Sequence, residues 1–218
     1  MTIIPDNAAG RERAARIVRR GGVVAFRTDT FYGLGADPFN RGALRALNLL
    51  KGRDDKPILV LASDAGAIQR LLAERTRAFD ALSARHWPGA LTLVASARTE
   101  VSGILTAGTG TIGVRLPDDE HVRDFVRACG GLLTATSANP AGQTPARTAA
   151  EVADYFAQVL TEPSNSDAFI IVDGGDSRSE LPSTVLDTRT EHPRLIREGV
   201  VRREELARTL RSIGQTLQ

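Results

Sequence analysis

Cysteine, lysine, tryptophan and long apolar runs are all scarce in this chain of 218 residues. The one cysteine, Cys129, lies in the apolar-patterned stretch VRDFVRACGG without a partner. That excludes a disulfide framework and a cysteine-based zinc site, and it points to a reducing compartment. The first twenty residues, MTIIPDNAAGRERAARIVRR, have no apolar signal core, and no later run approaches the ~18 apolar residues of a membrane span, so a soluble cytoplasmic protein is expected. His86, His121 and His192 stand far apart with no second histidine at ligand spacing, so no metal site is expected. His86 is expected to pack or cap. The glycine-rich turn that opens a phosphate-binding helix in P-loop and dinucleotide folds is missing as well.

Of the 28 basic residues only Lys51 and Lys56 are lysine, and 26 acids bring the net charge to +2. Arginine is spread from Arg11 to Arg211 among those acids, which reads as solvated helix faces and not as a nucleic-acid stripe. Aromatic residues make up 5% and do not interleave with basic ones, so there is no visible platform for stacking single-stranded bases.

With 42% hydrophobic residues, the chain is long enough for one sizeable core, and one α/β domain over residues 1–218 is expected. Helix patterns run over Asn7 to Arg20, Arg41 to Leu50, Ala65 to Leu72, Arg77 to His86, Glu120 to Cys129, Ala149 to Leu160 and Arg203 to Ile213. Several carry cap signals: Asn40, Ser63 with Asp64, and Thr148 followed by Glu151. Strand patterns run over Val23 to Arg27, Ile58 to Ala62, Leu91 to Ser96, Thr111 to Arg115, Leu132 to Thr136, Ala168 to Val172, Thr184 to Asp187 and Arg194 to Arg197. Helix pairs and strand pairs follow in irregular order, which predicts a mixed sheet over a regular doubly wound one. The clearest polar loops are LTEPSNSDAF and GGDSRSELPS, and neither reads as a domain linker.

Polar groups gather where the apolar strands end. In FRTDTFYGLGAD, Thr28 and Thr30 share one face of a strand tip, and Gly33 and Gly35 allow either a tight turn or a close approach. In KGRDDKP, Lys51 and Arg53 either complement a helix C-terminus or clamp a phosphate, a point charge beside a planar fork. Arg115 ends GTIGVRLP, where a guanidinium could take a carboxylate bidentately or line a nucleotide site. Thr136, Ser137 and Asn139 follow in LTATSANPAG, with a plain capped turn as the alternative. Ser183, Thr184 and Arg197 end two later strands. Such a distribution predicts a site along one edge of a sheet.

The ordered set FRTDTFYGLGAD, KGR, HWPGALTLV, GTIGVRLP, TSANPAG, STVLD and LIREG resembles the YrdC-type threonylcarbamoyl-AMP synthase family, from about Gly21 to Val201. The resemblance implies an open, twisted, mixed α/β sheet with helices and a large concave cavity. It implies a nucleotidyltransferase that makes threonylcarbamoyl-adenylate and pyrophosphate from L-threonine, bicarbonate or CO2, and ATP. A partner transferase system then moves the threonylcarbamoyl group to the adenosine beside a tRNA anticodon. By position, Thr28, Arg115, Ala135 and Ser183 match the threonine pocket, and Lys51, Arg53, Ser137 and Asn139 match the groups around the ATP phosphates. Thr111 and Arg197 match nucleotide-side positions. Magnesium is expected with the ATP, without a dedicated carboxylate cage.

The chain departs from the family pattern at several points. Arg27 and Asp54 stand where proline is common, the loop to Pro57 is one residue short, and Leu61 stands where some relatives carry a histidine. It ends soon after LIREGVV, as expected of the form without an extra C-terminal domain. The alternatives are an RNA-binding module of the same fold, for which the isoelectric point near 9.1 speaks, and the related carbamoyl-transfer domain of hydrogenase-maturation proteins. The latter are much longer and carry parts absent here.

Overall fold

A computed structural model of the chain describes residues 2–52, 56–157, 168–177 and 179–218. Among them, two mixed sheets carry the expected α/β architecture. The first orders its strands β1 (Thr2–Pro5), β9 (Phe169–Asp173), β2 (Val23–Arg27), β3 (Tyr32–Gly35) and β8 (Thr136–Ser137). The second runs β11 (Arg194–Arg197), β10 (Thr184–Asp187), β5 (Leu91–Ser96), β6 (Thr111–Arg115), β4 (Val60–Ala62) and β7 (Leu132–Thr134). In the first sheet β2 is parallel to β9 and antiparallel to β3. In the second, β5 is antiparallel to β6 and parallel to β10.

Helices α1 (Ala8–Arg19), α2 (Arg41–Lys51), α3 (Arg77–His86), α4 (Gly103–Thr106), α5 (Glu120–Ala128), α6 (Ala149–Phe156) and α7 (Arg203–Arg211) complete the described fold. Their starts follow the cap signals. Asn40 accepts from Ala43 N at 3.1 Å and Thr148 from Glu151 N at 3.1 Å, each satisfying an amide that the first helical turn leaves open. Asp119, unread in the sequence, caps α5 by accepting from His121 N. Spacings of three and four residues on α5 turn Val122, Phe125 and Val126 inward, and Phe125 meets Phe26 of β2 at 5.0 Å between ring centroids.

The structure corrects several local expectations. The stretch Ala65 to Leu72 is not an α-helix but a single 3-10 turn, Ala67–Arg70, begun by Asp64 accepting from Ala67 N. The sequence YGLG is neither turn nor loop but β3, fully buried. A Cβ at Gly35 would come within 2.9 Å of the Leu133 and Phe26 side chains, so glycine is there because the layers press together. At Gly33 it would stand 3.3 Å from the Thr28 methyl. The short β1 and α4 are further elements beyond the sequence reading. Leu132 to Thr136 is not one strand: the chain leaves the second sheet after Thr134 and joins the first at Thr136, with Ala135 as the crossing. Residues 158–160 of the expected helix end and most of the LTEPSNSDAF loop lie outside the described residues, as does Arg178.

Candidate active site

A cavity of about 520 Å³ opens between the sheets, and its lining comes from both. The expected site along one edge of one sheet is therefore corrected: polar strand ends converge from two. Alternation explains the wall. On β6, Thr111, Gly113 and Arg115 line the cavity while Ile112 and Val114 sit in the core; on β5, Thr92 and Val94 line it while Leu91, Leu93 and Ala95 face the core. Gly113 deepens the wall between them, since a Cβ there would stand 3.3 Å from the Thr92 methyl.

Strand β2 ends at Arg27, so Thr28 and Thr30 are not on a strand but in the turn into β3. The turn still brings their hydroxyls together, 3.2 Å apart. Thr28 Oγ1 accepts from Thr30 N at 3.1 Å and donates to Phe31 O at 2.7 Å, locking the turn that presents both residues to the cavity. Between them, Asp29 turns away from the lining and places Oδ1 2.8 Å from Nη1 of Arg115. Both Asp29 oxygens and the Nε and Nη1 of Arg115 are buried, so the pair is enclosed and shielded from solvent. Burial pushes the Asp29 carboxyl above its ordinary range, against the pull of the Arg115 charge.

On the facing side, Arg197 donates through Nε and Nη2 to Ser183 O at 3.1 and 2.9 Å, and Thr92 Oγ1 lies 3.0 Å from Ser183 Oγ. Burial lowers the Arg197 pKa from its ordinary value, and the charge of Arg115 lowers it further, so two guanidinium fields overlap in one cavity. Such a space favours an anion.

Of the residues singled out in the sequence, Thr28, Thr30, Gly33, Thr111, Arg115, Ala135, Thr136, Ser137, Ser183 and Arg197 line this cavity, whereas Thr184 is buried and donates to Val201 O. Lys51 and Asn139 do not; they stand behind Ser137. The Lys51 ammonium, at the end of α2, donates to Ser137 O at 2.6 Å and to the carbonyl of Asn139. Asn139 spends its amide on Pro140 O and Gln143 O. Arg53 and Asp54 lie outside the described residues. Leu61 is buried in the core against α5 and does not line the cavity, whereas Leu59 does.

Sequence reasoning missed Thr92, Lys56 and Asp29. Thr92 is the polar member of an otherwise apolar alternation, ALTLV, which is the signal that would have found it. Lys56 lines the cavity from an exposed position just before Pro57. Asp29 is a carboxylate enclosed in a buried-looking segment, a type seldom buried without a partner.

The three histidines take local partners: His86 Nε2 meets Thr209 Oγ1 at 2.9 Å, and His121 and His192 contact Arg11 and Thr216. Cys129 is a free, buried thiol that burial pushes up to about 12. Among the described residues no helix is long and apolar enough to cross a membrane.

Known proteins share both sequence and shape with this chain. A threonylcarbamoyl-AMP synthase of Thiobacillus denitrificans is 37% identical over 174 residues, covering 79% of this chain and 88% of that protein. One of Bacillus subtilis is 34% identical over 197 residues, covering 89% of this chain, which spans 54% of that relative. The crystal structure of Pyrococcus abyssi Sua5 complexed with L-threonine superposes with a TM-score of 0.87 at 30% identity, covering 99% of this chain and 61% of that one. The Sua5/YciO/YrdC family model, described as "Telomere recombination", matches residues 16–199, and the chain belongs to that family.

Proposed function

We propose that this protein is a threonylcarbamoyl-AMP synthase, a nucleotidyltransferase forming threonylcarbamoyl-adenylate and pyrophosphate from L-threonine, bicarbonate or CO2, and ATP. The observation that carries the reading is the cavity that Arg115 and Arg197 line together with a wall of hydroxyls. Carboxylation turns the neutral threonine amine into a carbamate, releasing a proton when CO2 reacts and water when bicarbonate does. A carbamate oxygen then attacks the α-phosphorus of ATP as the bond to the pyrophosphate oxygen breaks. Both reactants are anions, so the site must offset their repulsion and hold them in line.

Arg115 takes the threonine carboxylate, with Thr28, Ala135 and Ser183 as the walls around the rest of the amino acid. Thr111 and Arg197 serve the nucleotide side. Ser137 and Asn139, held by Lys51, with Arg53, serve the phosphates, and Lys56 adds a cation facing the cavity. Magnesium arrives with the ATP phosphates; among the described residues no group of three or more His, Cys, Asp or Glu could hold a metal ion. The adenylate passes to a transferase that modifies the tRNA adenosine beside the anticodon, and both enzymes work in the cytoplasm.

Pyrophosphate release should require L-threonine and bicarbonate together, with threonylcarbamoyl-adenylate found by mass. ATP turnover that is indifferent to threonine would overturn the proposal.

A further inference from the structure

Resting on that reading, we infer that Asp29 is a positioning residue for amino-acid recognition: it holds the Arg115 guanidinium through Nη1 from the side away from the cavity, so that Arg115 meets the ligand carboxylate from its cavity side. The two side chains are 8% and 3% exposed and meet at 2.8 Å. Asp29 does not line the cavity, although Thr28, Thr30 and Phe31 around it do, so the carboxylate stands behind the wall and Arg115 in it.

An aligned bidentate pair would consume the arginine fork. Here Asp29 meets Nη1 alone, Nε and Nη1 are shut away from the cavity, and Arg115 borders the cavity with the rest of its side chain. Charge supplies the holding force. Arg197 bears on Arg115 from across the cavity, and without a carboxylate behind it Arg115 would have only a like charge nearby. Asp119, the other acid whose field reaches Asp29, is itself paired with Arg27 at 2.8 Å and caps α5, so it does not replace Asp29. Burial raises the Asp29 pKa and the Arg115 charge lowers it, so the carboxylate owes its charged form to its neighbour.

The test compares binding of L-threonine and L-threoninol, which lacks the carboxylate, by calorimetry. The wild type should prefer L-threonine. Asp29→Asn should reduce that preference by about tenfold, the loss of one charge-assisted interaction, while ATP binding stays unchanged. Arg115→Ala should abolish the preference, and the double variant should match Arg115→Ala, because Asp29 acts only through Arg115. A merely structural role would weaken both ligands alike. If Asp29→Asn keeps the wild-type preference or binds L-threonine more tightly, or if the double variant is worse than Arg115→Ala, the inference is overturned with the proposed function intact. A wild type without preference for L-threonine would overturn both. Should the Asn variant not fold, Asp29→Glu moves the charge by one methylene and should also lower the preference; an unchanged value would sink the inference.

Discussion

Lys51 and Arg115 are both buried cations, 3% and 2% exposed, placed at the ends of regular elements near the same cavity. Lys51 directs its ammonium at the main-chain carbonyls of Ser137 and Asn139, tying the end of α2 to the end of β8 and the turn that follows it. Arg115 leans on the Asp29 carboxylate through Nη1 and borders the cavity. The first arrangement ties main chain to main chain through an ammonium, and the second sets a guanidinium between a carboxylate and a cavity. A buried cation is thus read by how its donors are spent, not by its burial.

The largest effect should come from breaking the satisfied side. Lys51→Met leaves two buried carbonyls without their donor and should cost on the order of 3 kcal/mol, read as a lower urea midpoint, with activity lost alongside. Arg115→Ala in the absence of ligand should shift that midpoint less, because the abandoned Asp29 can take up a proton. A larger shift for Arg115→Ala than for Lys51→Met would break the comparison.

Two buried acids sharpen it. Burial alone would raise the Asp119 pKa, but the charge and hydrogen bond of Arg27 and the amides at the start of α5 bring it below the ordinary value. A group whose folded pKa is depressed contributes stability above its unfolded pKa of about 3.9, and that contribution disappears as pH falls through the folded value. Asp119→Asn should therefore cost about 2 kcal/mol at pH 7, from a lost ion pair and a weakened cap, and the gap from the wild type should close below pH ~4. A gap that stayed constant between pH 7 and pH 3 in denaturant titrations would show that the Asp119 charge is idle.

The smallest effect concerns the ligand side chain. Ser183 Oγ lies between Thr92 and Arg197, so its hydroxyl is held in orientation before any ligand arrives. Ser183→Ala should narrow the preference for L-threonine over L-valine by about 1 kcal/mol, measured by competition in pyrophosphate release. Valine competing as well as serine in the wild type would show that the threonine hydroxyl is not read.

Part of the cavity wall was legible, and so were several helix starts, because strand ends and caps are local. Thr111 and Arg115 fall on one face by alternation alone, and Asn40 and Thr148 start helices by chemistry that spans three residues. What escaped was decided by distant partners. YGLG carries two glycines that propensity marks as a turn, and only the pressure of Leu133 and Phe26 makes it a strand. Nothing in KGRDDKP says that Lys51 will meet carbonyls 86 and 88 positions away. The stretch at Ala135 reads as one continuous strand because its apolar pattern does not break where the chain changes sheets.

That crossing limits how the molecule can move. Within three residues, Thr134 is bonded to Ala36, Ala135 N donates to Leu59 O at 2.9 Å, and Thr136 pairs with Leu34. The two layers are stitched at the back of the cavity as by a single suture, and they cannot swing apart about that line without tearing main-chain bonds. Arg115 of the second sheet and Ser137 of the first line the cavity from either side of that suture, so the fold itself holds the two walls to one frame.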